Sequence, residues 1–127
     1  MDGTFRIEDT GGIRVIALRG EHDLTTEPSL HDGIETALAT GSSVIVDLSE
    51  AEFIDSTVIA AIIHGQRLAT ERHADDVAVV AAAGARSVAR LLSLVGVEEV
   101  VPVYLTRAAA VEGVRRRRPD RRSVGRT

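Results

Sequence analysis

Ser56, in the triplet Asp55-Ser56-Thr57, lies between an apolar run at 44–48 and residues at helical spacing from Val58 onward. It therefore stands at a predicted helix N-terminus, where backbone N–H groups point outward unpaired. Either its hydroxyl or the Asp55 carboxylate can cap that helix. The same N–H groups and the helix dipole can hold a phosphate, which makes Ser56 a candidate phosphoacceptor as well. A nucleophile elbow also presents a serine at a strand-to-helix turn. Here the flanking glycines of G-x-S-x-G are missing and no base is evident, so a triad has little support.

Other chemistries are weaker still. His22, His31, His64 and His73 stand at no i, i+4 spacing from one another and no H-E-x-x-H occurs, so they read as surface histidines and no metal site is expected. The absence of cysteine removes thiol nucleophiles and thiolate metal sites. All 15 basic residues are Arg, which removes Schiff-base lysines and the lysine of a phosphate-binding loop. No glycine-rich nucleotide motif is present, and Asp75-Asp76 and Glu98-Glu99 read as solvated charge. A binding protein without cofactor is expected, not an enzyme.

The elements that position Ser56 follow from periodicity. Phe5–Glu8 and Ile13–Leu18 read as a hairpin joined by Asp9–Gly12, and Gly20-Glu21-His22-Asp23 as a loop. Thr25 or Thr26 caps a helix with Leu30, Ile34, Ala37 and Leu38 on one face and Gly41 past its end. Val44–Leu48 is a buried strand, and 49–54 connects it to a helix from Ser56 to Arg72. On that helix Val58, Ala61, Ile62, Gly65 and Ala69 share a face, while Ile59 and Ile63 widen the apolar stripe. That extra width suits either a partner footprint or packing against a neighbouring helix. His73–Asp76 is a polar loop, Val77–Ala82 a strand, and Val88, Leu91, Leu92 and Val95 line a helix stopped by Gly96. Val100–Val103 is an edge strand because of Pro102, and Thr106 caps a last helix that frays into Arg115–Arg118. The order ββαβαβαβα implies one α/β domain, with a mixed sheet opening on an antiparallel hairpin and continuing through parallel βαβ crossovers, packed by about four helices.

Composition agrees with a single packed domain of 127 residues, 44% hydrophobic and 27% charged. No apolar stretch approaches the ~20 residues of a membrane span, and a cytoplasmic location is expected. Residues 1–113 carry 8 Arg against 18 acids, whereas 114–127 carry 7 Arg against Asp120 alone. The chain thus reads as an acidic domain, 1–113, and a disordered basic tail, 114–127. An acidic body repels nucleic acid, and the tail lacks aromatics for base stacking.

The run Asp47-Leu48-Ser49, then Phe53-Ile54-Asp55-Ser56-Thr57, resembles the signature of the STAS domain found in bacterial anti-sigma factor antagonists. Upstream, Gly20-Glu21-His22-Asp23-Leu24 is similar to that family's G-E-x-D-x loop, and the resemblance spans about residues 5–113. It implies that Ser56 is phosphorylated by a partner anti-sigma factor with serine kinase activity and dephosphorylated by a PP2C-type phosphatase. It also implies that Asp23, Asp55 and Thr57 belong to the contact surface; Ile59 and Ile63 are candidates for the partner footprint from the apolar stripe alone, which helix packing explains equally well. The unphosphorylated form would bind the anti-sigma factor and release a sigma factor. A phosphorylation-independent STAS subunit of a transporter or signalling scaffold is the alternative. Where the family commonly continues Gly-Leu-Gly, this chain has Val58-Ile59-Ala60, which puts a branched side chain next to Ser56 in sequence.

Overall fold

A computed structural model describes residues 3–72, 77–82 and 84–126, the side chains of 118–126 excepted. Its elements are β1 (Thr4–Thr10), β2 (Ile13–His22), α1 (Glu27–Ala39), β3 (Ser43–Ile54), α2 (Ser56–Glu71), β4 (Val77–Val80), α3 (Arg86–Val95), β5 (Val103–Tyr104) and α4 (Arg107–Arg126), with a 3-10 turn at Val97–Glu99. The element order expected from sequence is the one observed.

The strands lie in the order β1-β2-β3-β4-β5, β1 antiparallel to β2 and the rest parallel. Because the order advances one way, right-handed crossovers must put α1, α2 and α3 on one face. The packing agrees. Leu30 and Ile34 of α1, Val58 and Ile62 of α2, and Val88 and Leu92 of α3 meet Ile16, Leu18, Val44, Val46 and Val79 in the larger core. The alternate strand residues Ile13, Val15, Ile45, Ala78 and Val80 face the other way, against Ala110 and Val114 of α4. Two covered faces explain the continuous apolar runs of β3 and β4.

Several boundaries differ from those expected. The hairpin turn is only Gly11-Gly12, both at positive φ, as a two-residue type I′ turn requires. β2 runs on through Gly20–His22, read as a loop, and β3 runs on through Ser49–Ile54, read as a connection. The two extensions pair with each other despite register shifts after Ala17 and after Gly20. Glu, Ser and Gly are weak strand formers, so composition hid an irregular pairing set by its neighbours. β4 stops at Val80, and the fifth strand is only Val103–Tyr104; Pro102 precedes it and accepts the Val79 N–H through its carbonyl at 2.9 Å. The sheet-edge position foreseen for this strand is observed. The His73–Asp76 loop lies outside the described residues. α4 continues through the segment read as a tail, and Val114 is buried because it falls on the same helix face as Ala110, while Arg115, Arg116 and Arg117 are exposed.

An ion-pair network joins β1, β3 and α4. Asp47, nearly buried on β3, accepts from Arg107 Nε at 3.0 Å, and Arg107 Nη1 donates to Glu8 on β1 at 3.2 Å. Burial opposes the charge on Arg107, but its bonds to the two carboxylates prevail and raise its pKa. Among the described residues no helix is long and apolar enough to cross a membrane.

Candidate functional site

Ser56 and Asp23 come together because β2 and β3 are parallel neighbours. Their last residues, His22 and Ile54, are register partners, so Asp23 and Asp55, the latter next to Ser56, emerge together at the C-terminal end of the two strands. The Asp55 N–H donates to the His22 carbonyl at 3.2 Å, tying the end of one strand to the start of α2.

Asp55 is the N-cap of α2. Its Oδ1 accepts from the Thr57 N–H at 3.0 Å and from the Thr57 hydroxyl at 2.5 Å. With Asp55 occupied by the cap, Ser56 is left at the first helical position, exposed, its hydroxyl in no described hydrogen bond. The two roles weighed for this helix start are therefore divided between adjacent residues.

Asp23 is also held. Its Oδ1 accepts the Thr25 hydroxyl at 2.7 Å and the Thr25 N–H at 3.0 Å, and these bonds keep its carboxyl below its ordinary pKa. Beneath it His22 is buried, contrary to the surface position expected of it. Its Nε2 lies 3.0 Å from the Arg19 carbonyl and its Nδ1 3.0 Å from the Thr26 hydroxyl. A carbonyl can only accept, so Nε2 carries a proton, and in the neutral imidazole Nδ1 is then the acceptor from Thr26. The Phe5 ring packs edge-to-face with the imidazole, with centroids 5.3 Å apart. Thr26 thus spends its hydroxyl on His22 and makes no capping bond to α1, although it occupies the cap position. No sequence pattern announces this anchor, because Gly20-Glu21-His22-Asp23 reads as loop.

Of the two isoleucines offered as a footprint, Ile59 is 1% exposed and belongs to the core between α2 and its neighbours. It is withdrawn from the contact surface. Ile63 is half-buried and packs against the same core. Val58 is fully buried too, so the branched residue replacing the family's glycine turns inward and leaves Ser56 uncrowded. The exposed apolar residues around the site are others: Leu24 (68%), Phe53 (50%) and, on α3, Leu94 (75%). Leu24 and Thr57 line a groove of about 390 Å³ between α1 and α2, and Phe53 and Leu94 line another of about 270 Å³ against α3. Isolated exposed leucines carry no sequence signal, which is why these were missed. A more open groove of about 700 Å³ runs along Arg107, Val111 and Arg115 of α4, on the opposite face of the sheet from α2.

The chain also has relatives among known proteins. Residues 5–104 match the family described as Mlab, STAS domain. The chain is 28% identical over 122 residues to the anti-sigma-F factor antagonist RsfB of Mycobacterium tuberculosis, covering 93% of this chain and 94% of that protein. Its fold is similar to the crystal structure of an anti-sigma factor antagonist from Mycobacterium paratuberculosis, with a TM-score of 0.72 and 29% identity over 90% of this chain and 95% of the other. It also shares the fold of the Bacillus cell fate determinant SpoIIAA in its phosphorylated form, with a TM-score of 0.66 and 19% identity over 87% and 99% of the two chains.

Proposed function

Since the chain belongs to the STAS-domain family, we propose that it is an anti-sigma factor antagonist switched by phosphorylation of Ser56. Unphosphorylated, it binds an anti-sigma factor with serine kinase activity and so releases a sigma factor. Phosphorylation ends the binding, and a PP2C-type phosphatase restores it. The observation that carries this reading is the division of labour at α2: Asp55 caps the helix, and the exposed Ser56 hydroxyl stands free at its N-terminus. The likeness to RsfB and to the mycobacterial antagonist supports the same partner class.

The surface around Ser56 suits a switched docking site. Leu24, Phe53 and Leu94 supply apolar contact, with Asp23 and Thr57 between as polar groups of fixed orientation. A hundredfold loss of affinity requires only about 2.8 kcal/mol. A phosphate of charge about −2, placed ~5 Å from one partner carboxylate at an effective dielectric of ~20, gives about 6 kcal/mol of repulsion before screening by salt. The helix needs no refolding, because the cap does not involve the modified hydroxyl. The domain acts by binding, in the cytoplasm, and performs no catalysis of its own.

The test is a pull-down from the native host with wild-type, Ser56→Ala and Ser56→Asp baits, and phosphate mapping on the wild type. An ATP-binding anti-sigma factor recovered by the first two and lost with Ser56→Asp is the expected result. Recovery of one membrane or scaffold assembly by all three baits, with Ser56 unmodified, would instead identify a phosphorylation-independent subunit.

A further inference from the structure

Packing of α1 against α2 brings together side chains that the sequence keeps far apart. His31 on α1 and His64 on α2 stack at a tilt, with ring centroids 4.8 Å apart. His31 also shares its surroundings with Asp32 and Glu35, and one ligand atom from each of these three lies within 4.8 Å of the others. Glu35 follows His31 by four residues, so the two project from the same helix face. His64 is not one of these three and joins them through its stacking on His31, a neighbour that the spacing test misses because the two imidazoles come from different helices.

We propose that His31, His64 and Glu35, with Asp32 alongside, form a binding site for a divalent transition metal of the zinc class. Two imidazoles and a carboxylate match the preferences of Zn²⁺, Ni²⁺ or Cu²⁺, whereas Mg²⁺ and Ca²⁺ favour all-oxygen sets. Zinc bonds of about 2.0–2.2 Å draw donor atoms closer than they stand here, and rotation of side chains supplies the difference. His64 is exposed and His31 half-buried, so both rings have room to turn while the helix backbones stay fixed. Glu35 has one competing partner, Arg72 at 3.4 Å, in an exposed pair of the kind that yields easily. Three protein ligands leave a coordination position open to water or to a donor from another molecule. His31 and His64 also line the α1–α2 groove, together with Leu24 and Thr57. A bound ion would clamp the two helices beside the proposed docking surface, yet the site depends on helix packing alone and not on the phosphorylation reading.

Isothermal titration of the full chain with ZnCl₂ tests the site, with MgCl₂ as the comparison. One equivalent of zinc should bind, with a rise in melting temperature, and magnesium should give no heat. His31→Ala and His64→Ala should each weaken zinc binding at least tenfold, and Glu35→Gln should weaken it less. Circular dichroism of each variant separates lost binding from lost folding. Line broadening by Cu²⁺ in amide NMR spectra should centre on residues flanking 31 and 64. No saturable zinc binding overturns the proposal. So does unchanged affinity in the folded His64→Ala variant, which would assign the metal to other groups.

Discussion

Gly65 sits where α2 crosses α1, and a methyl group there should have opposite effects in two backgrounds. A Cβ built at Gly65 falls 2.7 Å from Ile34 Cγ2, whereas ordinary carbon contacts lie at ~3.5–4.0 Å. The Ile34 side chain is 1% exposed and wedged between the helices and the sheet, so it cannot swing aside. Overpacking of this kind costs about 1–3 kcal/mol. Against it stands the gain of about 1 kcal/mol from replacing glycine by alanine within a helix. Gly65→Ala alone should therefore destabilise by up to about 2 kcal/mol, near 4 °C of melting temperature per kcal/mol for a chain of this size. Ile34→Ala alone should cost about 2–5 kcal/mol by leaving a cavity. In the Ile34→Ala background the obstructing methyl is gone, so Gly65→Ala should stabilise by about 1 kcal/mol. Urea denaturation of the four proteins closes the cycle, with an expected coupling of about 1–3 kcal/mol. Equal effects of Gly65→Ala in both backgrounds would refute the claim that this glycine sets the distance between the helices.

Asp55→Ala should lose about 1 kcal/mol of stability while Asp55→Asn keeps most of it, because an amide oxygen still caps; equal losses in urea melts would contradict the cap. Thr26→Val should cost about 1–3 kcal/mol by leaving the buried His22 Nδ1 without a donor, and an unchanged melting curve would count against that bond. Thr25→Ala should move the carboxyl titration of Asp23 upward in NMR, since the hydroxyl is the main cause of its depressed value. The sign follows from linkage: a carboxylate held low in the fold adds stability above its unfolded pKa and loses it as pH falls through the folded one. Any contribution from Asp23 is thus complete at neutral pH and disappears only in acid. Arg107→Ala should destabilise by about 1–2 kcal/mol, discounted for the partial exposure of Arg107, and the loss should shrink when Asp47 is replaced by Asn as well.

Much of the fold is legible in sequence where apolar period and local chemistry agree. The face Leu30, Ile34, Ala37 and Leu38 on α1, the stop at Gly96 and the Thr106 cap of α4, whose hydroxyl accepts the Ala109 N–H at 3.1 Å, all read directly. Legibility fails where tertiary pairing overrides composition. Gly20–His22 and Ser49–Ile54 have poor strand formers yet lie side by side as strands, because each supplies the other's hydrogen bonds. Ile59 illustrates a different limit. Periodicity tells how wide an apolar stripe is, but not whether its edge meets solvent or another helix. Asp23, Asp55 and Ser56 were recognisable as residue types, yet their proximity depends on β2 and β3 being parallel neighbours. The histidines show the same point from the other side: only the crossing of two helices makes neighbours of residues 31 and 64.

The strand order has a consequence for how the molecule is made. Each strand of the sheet pairs with the strand that precedes it in the chain. As the polypeptide leaves the ribosome, every new strand finds its partner already present and no earlier pair must open to admit it. Loop closure is short at each step, which favours rapid acquisition of the native arrangement and limits the time that bare strand edges are displayed. The exception comes last. Arg107, at the start of the final helix, pairs with Glu8 of the first strand, 99 residues earlier, and with Asp47 in the middle. That contact can form only after all five strands have been made, so it works as a latch on a structure otherwise assembled in the order in which it is translated.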